Sequence, residues 1–123
     1  MNCLYDDFLW HDAVIDEIKL DRRNAGYTDL LELIVTDIEN KRWKVIFSDL
    51  YEVEMKMNFG VVGEESIYSI ECLESSEHIQ AIKRVWKLCT TLDKLKCYKI
   101  TTNSTASILE IYALDILITQ VNS

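Results

Sequence analysis

The feature that most constrains this chain is an unbroken alternation of apolar and polar side chains between residues 51 and 59. Apolar residues occupy the odd positions: Tyr51, Val53, Met55, Met57 and Phe59. Polar residues occupy the even positions: Glu52, Glu54, Lys56 and Asn58. Because successive side chains of a strand point to opposite faces of its sheet, this stretch predicts a half-buried β-strand. The odd positions are expected in the core and the even positions in solvent.

Six further segments rich in β-branched and aromatic residues are also predicted to be strands. They are Ala13–Asp21, Asp29–Ile38, Arg42–Phe47, Ile67–Leu73, Leu95–Thr101 and Ser107–Thr119. The connections at 24–26 and 39–41 are short and contain turn residues, which suits hairpins. The first half of the chain is therefore expected to form an antiparallel meander.

The apolar spacing changes to three or four residues between Glu77 and Leu92, which predicts one amphipathic helix packed on the sheet. Its apolar face comprises Ile79, Ile82, Val85, Trp86 and Cys89. Ser75 or Ser76 is the expected N-cap, and His78 in the first turn should have its pKa lowered by the positive end of the helix dipole. Together these patterns predict an α+β fold with a mainly antiparallel sheet of six or seven strands. Residues 1–123 are expected to form one domain.

The composition of the chain limits which cellular compartment and which cofactors are expected. No apolar run is long enough to cross a bilayer, and the first residues lack the features of a signal peptide, so we expect a cytoplasmic protein without membrane contact. The four cysteines, at positions 3, 72, 89 and 97, form no Cys-x-x-Cys pair. They are expected to be reduced packing residues, and no metal or cofactor is predicted.

The charge of the chain favours a basic partner. The net charge is −8, and residues 1–77 hold 18 acidic and 7 basic side chains, whereas residues 78–123 hold 3 acidic and 6 basic ones. Nucleic acid is an unfavourable partner because its phosphates need a cationic surface. A basic protein is the expected alternative.

The candidate partner-binding residues are the carboxylates on and near the alternating strand, together with one aromatic residue. They are Asp49, Glu52, Glu54, Glu64, Glu65 and Trp10. Trp10 is included as an anchor because aromatic residues dominate interface energetics, whereas Trp43 and Trp86 lie in apolar patterns and are expected in the core. The alternative is that these carboxylates only keep the protein soluble.

Two other functions stay open. His11 and Asp12 are similar to the His-Asp dyad of the HD phosphohydrolases, which would make the chain a small metal-dependent hydrolase, but His78 is the one further histidine that could serve as a ligand. The chain could instead be a structural subunit of a homo-oligomer, assembled through an unpaired edge strand. Catalysis is not expected, because no residue spacing favours a nucleophile with its base.

Three segments carry a family resemblance. Residues 8–15, with the sequence Phe-Leu-Trp-His-Asp-Ala-Val-Ile, are followed by Ile-Lys-Leu-Asp-Arg at 18–22 and by Trp-Lys-Val-Ile-Phe-Ser-Asp-Leu at 43–50. This first half resembles a group of small bacterial proteins, some of which are immunity proteins that neutralise polymorphic toxins. The resemblance implies a cytoplasmic antidote that holds a toxin domain in an inactive complex. It assigns no functional residue.

Overall fold

The fold is described from a computed structural model that covers residues 2–86 and 90–121. It is an α+β fold, in which these residues form a mostly antiparallel sheet of seven strands and a single α-helix. The strands are β1 (Asn2–Cys3), β2 (Val14–Leu20), β3 (Leu30–Thr36), β4 (Arg42–Lys56), β5 (Ile67–Leu73), β6 (Lys96–Thr102) and β7 (Ile108–Gln120). The helix α1 spans Glu77–Val85, and short 3-10 segments cover Tyr5–Asp7 and Thr90–Lys94.

The strand order is β2-β3-β4-β7-β6-β5, with β1 added beside the end of β7. β2, β3 and β4 are consecutive antiparallel neighbours, which confirms the meander predicted for the first half. The long β4–β7 pair lies at the centre of the sheet and runs from Trp43 opposite Gln120 to Lys56 opposite Ile108. This pair therefore connects the meander to the strands of the second half.

β4 joins two segments that were predicted as separate strands. The join contains Asp49, whose φ is +53°, and a register shift between Leu50 and Glu52. These irregularities let one strand continue past a position where the alternation of side chains is interrupted. The strand ends at Lys56, so it is shorter at its C-terminal end than the alternation predicts.

The prediction that Phe59 lies in the core is wrong, since its side chain is 87% exposed. The side chain of Asn58 does not point freely to solvent either, because its Nδ2 donates to the Thr105 carbonyl oxygen at 2.7 Å. The Asn58 amide also donates to Ser107 Oγ at 3.1 Å. These bonds hold the chain against the β6–β7 turn. Phe59 then lies beyond the last pair of the β4–β7 ladder, where none of the described strands covers it.

The sheet curls until its two outermost strands meet. Val14 of β2 forms an antiparallel bridge with Ser66, just before β5. The Ile15 amide donates to the Glu65 carbonyl at 2.9 Å, and the Ile67 amide donates to the Ala13 carbonyl at 2.7 Å. The enclosed inner face carries the larger apolar cluster, whose fully buried side chains include Leu31, Leu33, Val45, Phe47, Ile100, Leu109 and Ile111.

The helix packs on the opposite, outer face of the sheet. Ile79 and Ile82 contact a second apolar cluster, which includes Leu95, Cys97 and Tyr112. Ser76 is the N-cap, because its Oγ accepts a hydrogen bond from the Ile79 amide at 3.1 Å. In the described part of the chain no helix has the length and apolarity needed to cross a membrane.

The helix ends at Val85, earlier than its apolar spacing predicts, and residues 87–89 of the predicted span lie outside the described residues. Val85 and Trp86 are exposed at 75% and 53%, so their predicted place in the core is wrong. The Trp86 amide bonds the Ile82 carbonyl as the helix terminates, and its ring lies 5.9 Å from that of Tyr51. An early end to the helix thus leaves the last apolar residues on the surface.

The described cysteines are free thiols, as predicted. Cys97 is buried, while Cys3 and Cys72 are partly buried; Cys89 lies outside the described residues. Burial raises the pKa of the Cys97 thiol and that of Cys72. Raised pKa values keep these thiols protonated and poorly nucleophilic at neutral pH.

Candidate functional site

Three carboxylates lie together on the outer face of the central strands. Glu52 and Glu54 are two residues apart on β4, and their partners on β7 are Tyr112 and Glu110. Since directly paired residues of an antiparallel sheet share a face, Glu110 lies beside Glu54. Glu52, Glu54 and Glu110 are called the outer acidic face below.

The first turn of the helix brings a histidine to this face. His78 Nε2 forms a hydrogen-bonded ion pair with Glu52 Oε2, and the His78 ring lies 4.8 Å from the ring of Tyr112. The hydrogen bond to Glu52 raises the pKa of His78, and the charges of Glu54 and Glu110 raise it further. The prediction of a lowered pKa is wrong, because the hydrogen bond to Glu52 and the charges of the carboxylates outweigh the burial that favours the neutral ring.

Tyr112 connects this surface to the second apolar cluster. Its hydroxyl donates to Glu110 Oε2 at 3.0 Å, and the Tyr112 side chain is almost completely buried. Burial, together with hydrogen bonds to Cys97 and Glu110, raises the pKa of Tyr112 strongly. The phenol therefore remains a neutral donor, which fixes the orientation of the Glu110 carboxylate.

The structure does not bring the remaining predicted carboxylates to this face. Asp49 is exposed at the irregular point of β4, and Glu64 is exposed in the loop before β5. Glu65 is partly buried, and its carboxylate accepts hydrogen bonds from the hydroxyls of Thr105 and Ser107. Glu65 therefore stabilises the β6–β7 turn, and its carboxylate is not free to meet a partner.

The interpretation of Trp10 as an exposed anchor is wrong, because its side chain is only 8% exposed. Its indole nitrogen donates to the Tyr5 carbonyl at 2.9 Å, and its ring packs edge-on against Phe8 at 4.6 Å. Trp10 belongs to the larger apolar cluster. Trp43 is buried as predicted.

An exposed tryptophan does lie beside the outer acidic face, and it is Trp86. A groove of about 220 Å³ separates the helix from β4. Its walls are formed by Tyr51, Glu52, His78, Ala81, Ile82, Val85 and Trp86. The groove thus places an aromatic ring and a carboxylate within the same depression.

His11 and Asp12 lie in a turn that leads into β2. Both side chains are more than half exposed, and His11 Nε2 is 3.5 Å from Asp12 Oδ2. The other ring nitrogen of His11 donates to the Tyr68 carbonyl at 3.0 Å, while Asp12 adopts a φ of +64°. Within residues 2–86 and 90–121 no group of three His, Cys, Asp or Glu side chains is arranged to hold a metal ion.

Sequence reasoning missed Glu110, although the sequence contains a usable signal. Glu110 is the only charged residue between Ser107 and Leu114, in a strand that is otherwise apolar. A carboxylate in such a strand indicates either a buried polar contact or an exposed face of the sheet. Glu110 shows both, because it accepts a hydrogen bond from Tyr112 and lies on the outer face. No protein-family model matches the chain, and no curated protein matches it either.

Proposed function

We propose that this chain is a non-catalytic binding module that holds a cationic protein against its outer acidic face. The first-half resemblance to immunity proteins makes a toxin domain in the cytoplasm the preferred partner. The observation that carries the proposal is the convergence of Glu52, Glu54 and Glu110 on one surface of the central strands. Their combined field attracts a cationic surface and accelerates its encounter with this one.

The groove beside this face supports the same proposal. An interface needs apolar and aromatic contacts in addition to charge, because exposed ion pairs alone contribute little affinity. Trp86 and Val85 provide exposed apolar area next to Glu52. A lysine- or arginine-rich segment with flanking apolar residues has the complementary chemistry, and a guanidinium could also stack on the indole ring.

The test is a pair of matched double variants. E52Q/E110Q removes two charges from the outer acidic face while keeping side-chain oxygens that can accept the hydrogen bonds from His78 and Tyr112. E39Q/E74Q removes two charges from exposed residues elsewhere, at the β3–β4 turn and before the helix. The two variants have equal net charge, so only the position of the lost carboxylates differs.

Binding should be measured by titration calorimetry against the protein encoded directly upstream, where a toxin partner would be expected. We expect E52Q/E110Q to weaken the complex about ten-fold at about 50 mM salt, and the difference to shrink at about 500 mM as charges are screened. E39Q/E74Q should bind nearly as tightly as the unaltered chain. Equal affinities for the two double variants would contradict the proposed surface.

A further inference from the structure

The central strand β4 has one edge that continues past its neighbour. β3 pairs with β4 only as far as Ser48, whereas β7 continues to pair with it as far as Lys56. Within the described part of the chain, the edge from Glu52 to Lys56 that faces away from β7 has no strand beside it. An open edge of this kind presents unpaired backbone groups to any strand that can match it.

This edge is more regular than that of β2. The pairing of β2 is interrupted by a register shift at Asp16, and the start of β2 is closed by contact with the β5 segment. By contrast, residues 52–56 pair with β7 without a break. A short regular edge is a suitable template for strand addition, whereas a bulge works against it.

We propose that a second copy of this chain pairs antiparallel with the β4 edge, with Met55 opposite Met55 on the two-fold axis. A symmetric dimer of this type keeps each face of the sheet on the same side in both copies, so polar residues meet polar residues. Glu54 then lies opposite Lys56 of the second copy, and Lys56 lies opposite its Glu54. Two complementary charge pairs form across one short seam.

The two adjacent symmetric registers are less favourable. A shift of two residues in one direction pairs Glu52 with Lys56 but places Glu54 opposite Glu54, and the same shift in the other direction places Lys56 opposite Lys56. Like charges directly opposite each other destabilise an antiparallel pair. The charge order of the strand therefore selects the Met55-centred register.

The surroundings of Glu54 and Lys56 within the single chain also favour a second copy as the partner. Glu54 already lies opposite Glu110 on β7, which is a like-charge contact that a lysine from a second copy would relieve. Within the described residues neither Glu54 nor Lys56 has an ion-pair partner. On the inner face, the half-buried Val53 and Met55 would gain apolar cover from the second copy.

The seam is short, because β4 ends at Lys56 and only Glu54, Met55 and Lys56 of each copy lie opposite strand residues of the other. We therefore expect a weak dimer, with a dissociation constant in the micromolar range.

The experiment reverses the charge at position 54 or 56 and measures self-association by analytical ultracentrifugation, at protein concentrations of about 5 to 500 μM. E54K places lysine opposite lysine and K56E places glutamate opposite glutamate, so each variant alone should dimerise at least ten-fold more weakly than the unaltered chain. In an equimolar mixture of the two variants, every lysine faces a glutamate again. We expect the mixture to recover the dimer, and E39K, which has the same charge change as E54K at a distant turn, to dimerise like the unaltered chain.

Three results would overturn the proposal. They are a monomer of the unaltered chain throughout the concentration range, unchanged dimerisation of E54K, and failure of the mixture to recover a dimer. The two proposals share Glu54, but E52Q/E110Q leaves both members of the Glu54–Lys56 pairs in place. Loss of partner binding in that variant with normal self-association would therefore concern the proposed function alone.

Discussion

At the scale of single residues, His78 lies where two electrostatic effects oppose each other. It occupies the first turn of the helix, where the positive end of the dipole favours the neutral ring. The same ring bonds Glu52 and is close to the charges of Glu54 and Glu110, which favour the imidazolium ion. The hydrogen bond to Glu52 and the charges of the carboxylates raise the pKa of His78, so these groups favour the charged ring.

The raised pKa of His78 predicts how the stability of the protein depends on pH. Because the folded pKa of His78 is raised above 6.5, its contribution to stability is fully present below pH 6.5 and is lost as the pH rises through the folded pKa. E52Q should lower the His78 pKa, as followed by NMR titration of the imidazole protons. The melting temperature of the unaltered chain should exceed that of E52Q most clearly near pH 6, and the difference should diminish toward pH 9. An identical His78 titration in both proteins would contradict the assigned ion pair.

At the scale of elements, the strands and helix were predictable where local pattern determines them. The alternation in β4 and the 3.6-residue spacing from Glu77 predicted the right type of element, because burial of one face imposes a period on the sequence. The ends of these elements depend on tertiary contacts. The helix stops at Val85 and the strand stops at Lys56, and neither end is marked by proline or by a change in apolar spacing.

The candidate site, too, was predictable only where local sequence pattern determines it. Glu52 and Glu54 were predicted on one exposed face because they share a strand, and the structure places them there with Glu110. Trp10 is buried and Trp86 is exposed, the reverse of what was predicted, since both tryptophans lie in apolar sequence and only the fold determines which one is covered. The hydrogen bonds of Glu65 could not be predicted either, because its hydroxyl partners lie about 40 residues away in the chain.

The β3–β4 hairpin depends on one buried carboxylate. Asp37 Oδ1 accepts hydrogen bonds from the amides of Glu39 and Lys41, both at 2.9 Å, and its Oδ2 accepts one from the Trp43 indole at 2.8 Å. Burial alone would raise the pKa of Asp37, but the bonds from Lys41, Trp43 and Glu39 lower it below its usual value of 3.8. The ionised carboxylate therefore stabilises both the turn and the first core residue of β4.

Replacing this carboxylate should have a large effect on stability. D37A leaves the buried indole N–H of Trp43 without an acceptor and also removes two turn bonds, so we expect a loss of about 2 to 4 kcal/mol in the free energy of unfolding. E39A, at the exposed neighbouring turn position, should change that free energy by no more than about 0.5 kcal/mol. Urea denaturation at pH 7 measures both variants. Equal losses in the two would show that the Asp37 bonds contribute little.

At the scale of the whole molecule, one curved sheet separates two apolar clusters. The inner cluster is enclosed because β2 and the β5 segment meet, while the outer cluster is covered by a short helix and by the Thr90–Lys94 segment. The acidic surface lies where the helix leaves the outer face uncovered. Curvature thus closes the inner face, whereas the cover of the outer face depends on the helix and the Thr90–Lys94 segment.

The closure predicts the pattern of amide hydrogen exchange. The amides of Ile15 and Ile67 belong to edge strands, yet each donates across the junction of β2 with the β5 segment, at 2.9 and 2.7 Å. If this junction opens only when the inner cluster is lost, both amides must exchange through global unfolding. Their exchange free energies, measured by NMR, should then lie within about 1 kcal/mol of the value for Ile111 in the centre of β7. Exchange of Ile15 and Ile67 that is a hundred-fold faster than that of Ile111 would instead show that the junction opens locally while the rest of the sheet stays folded.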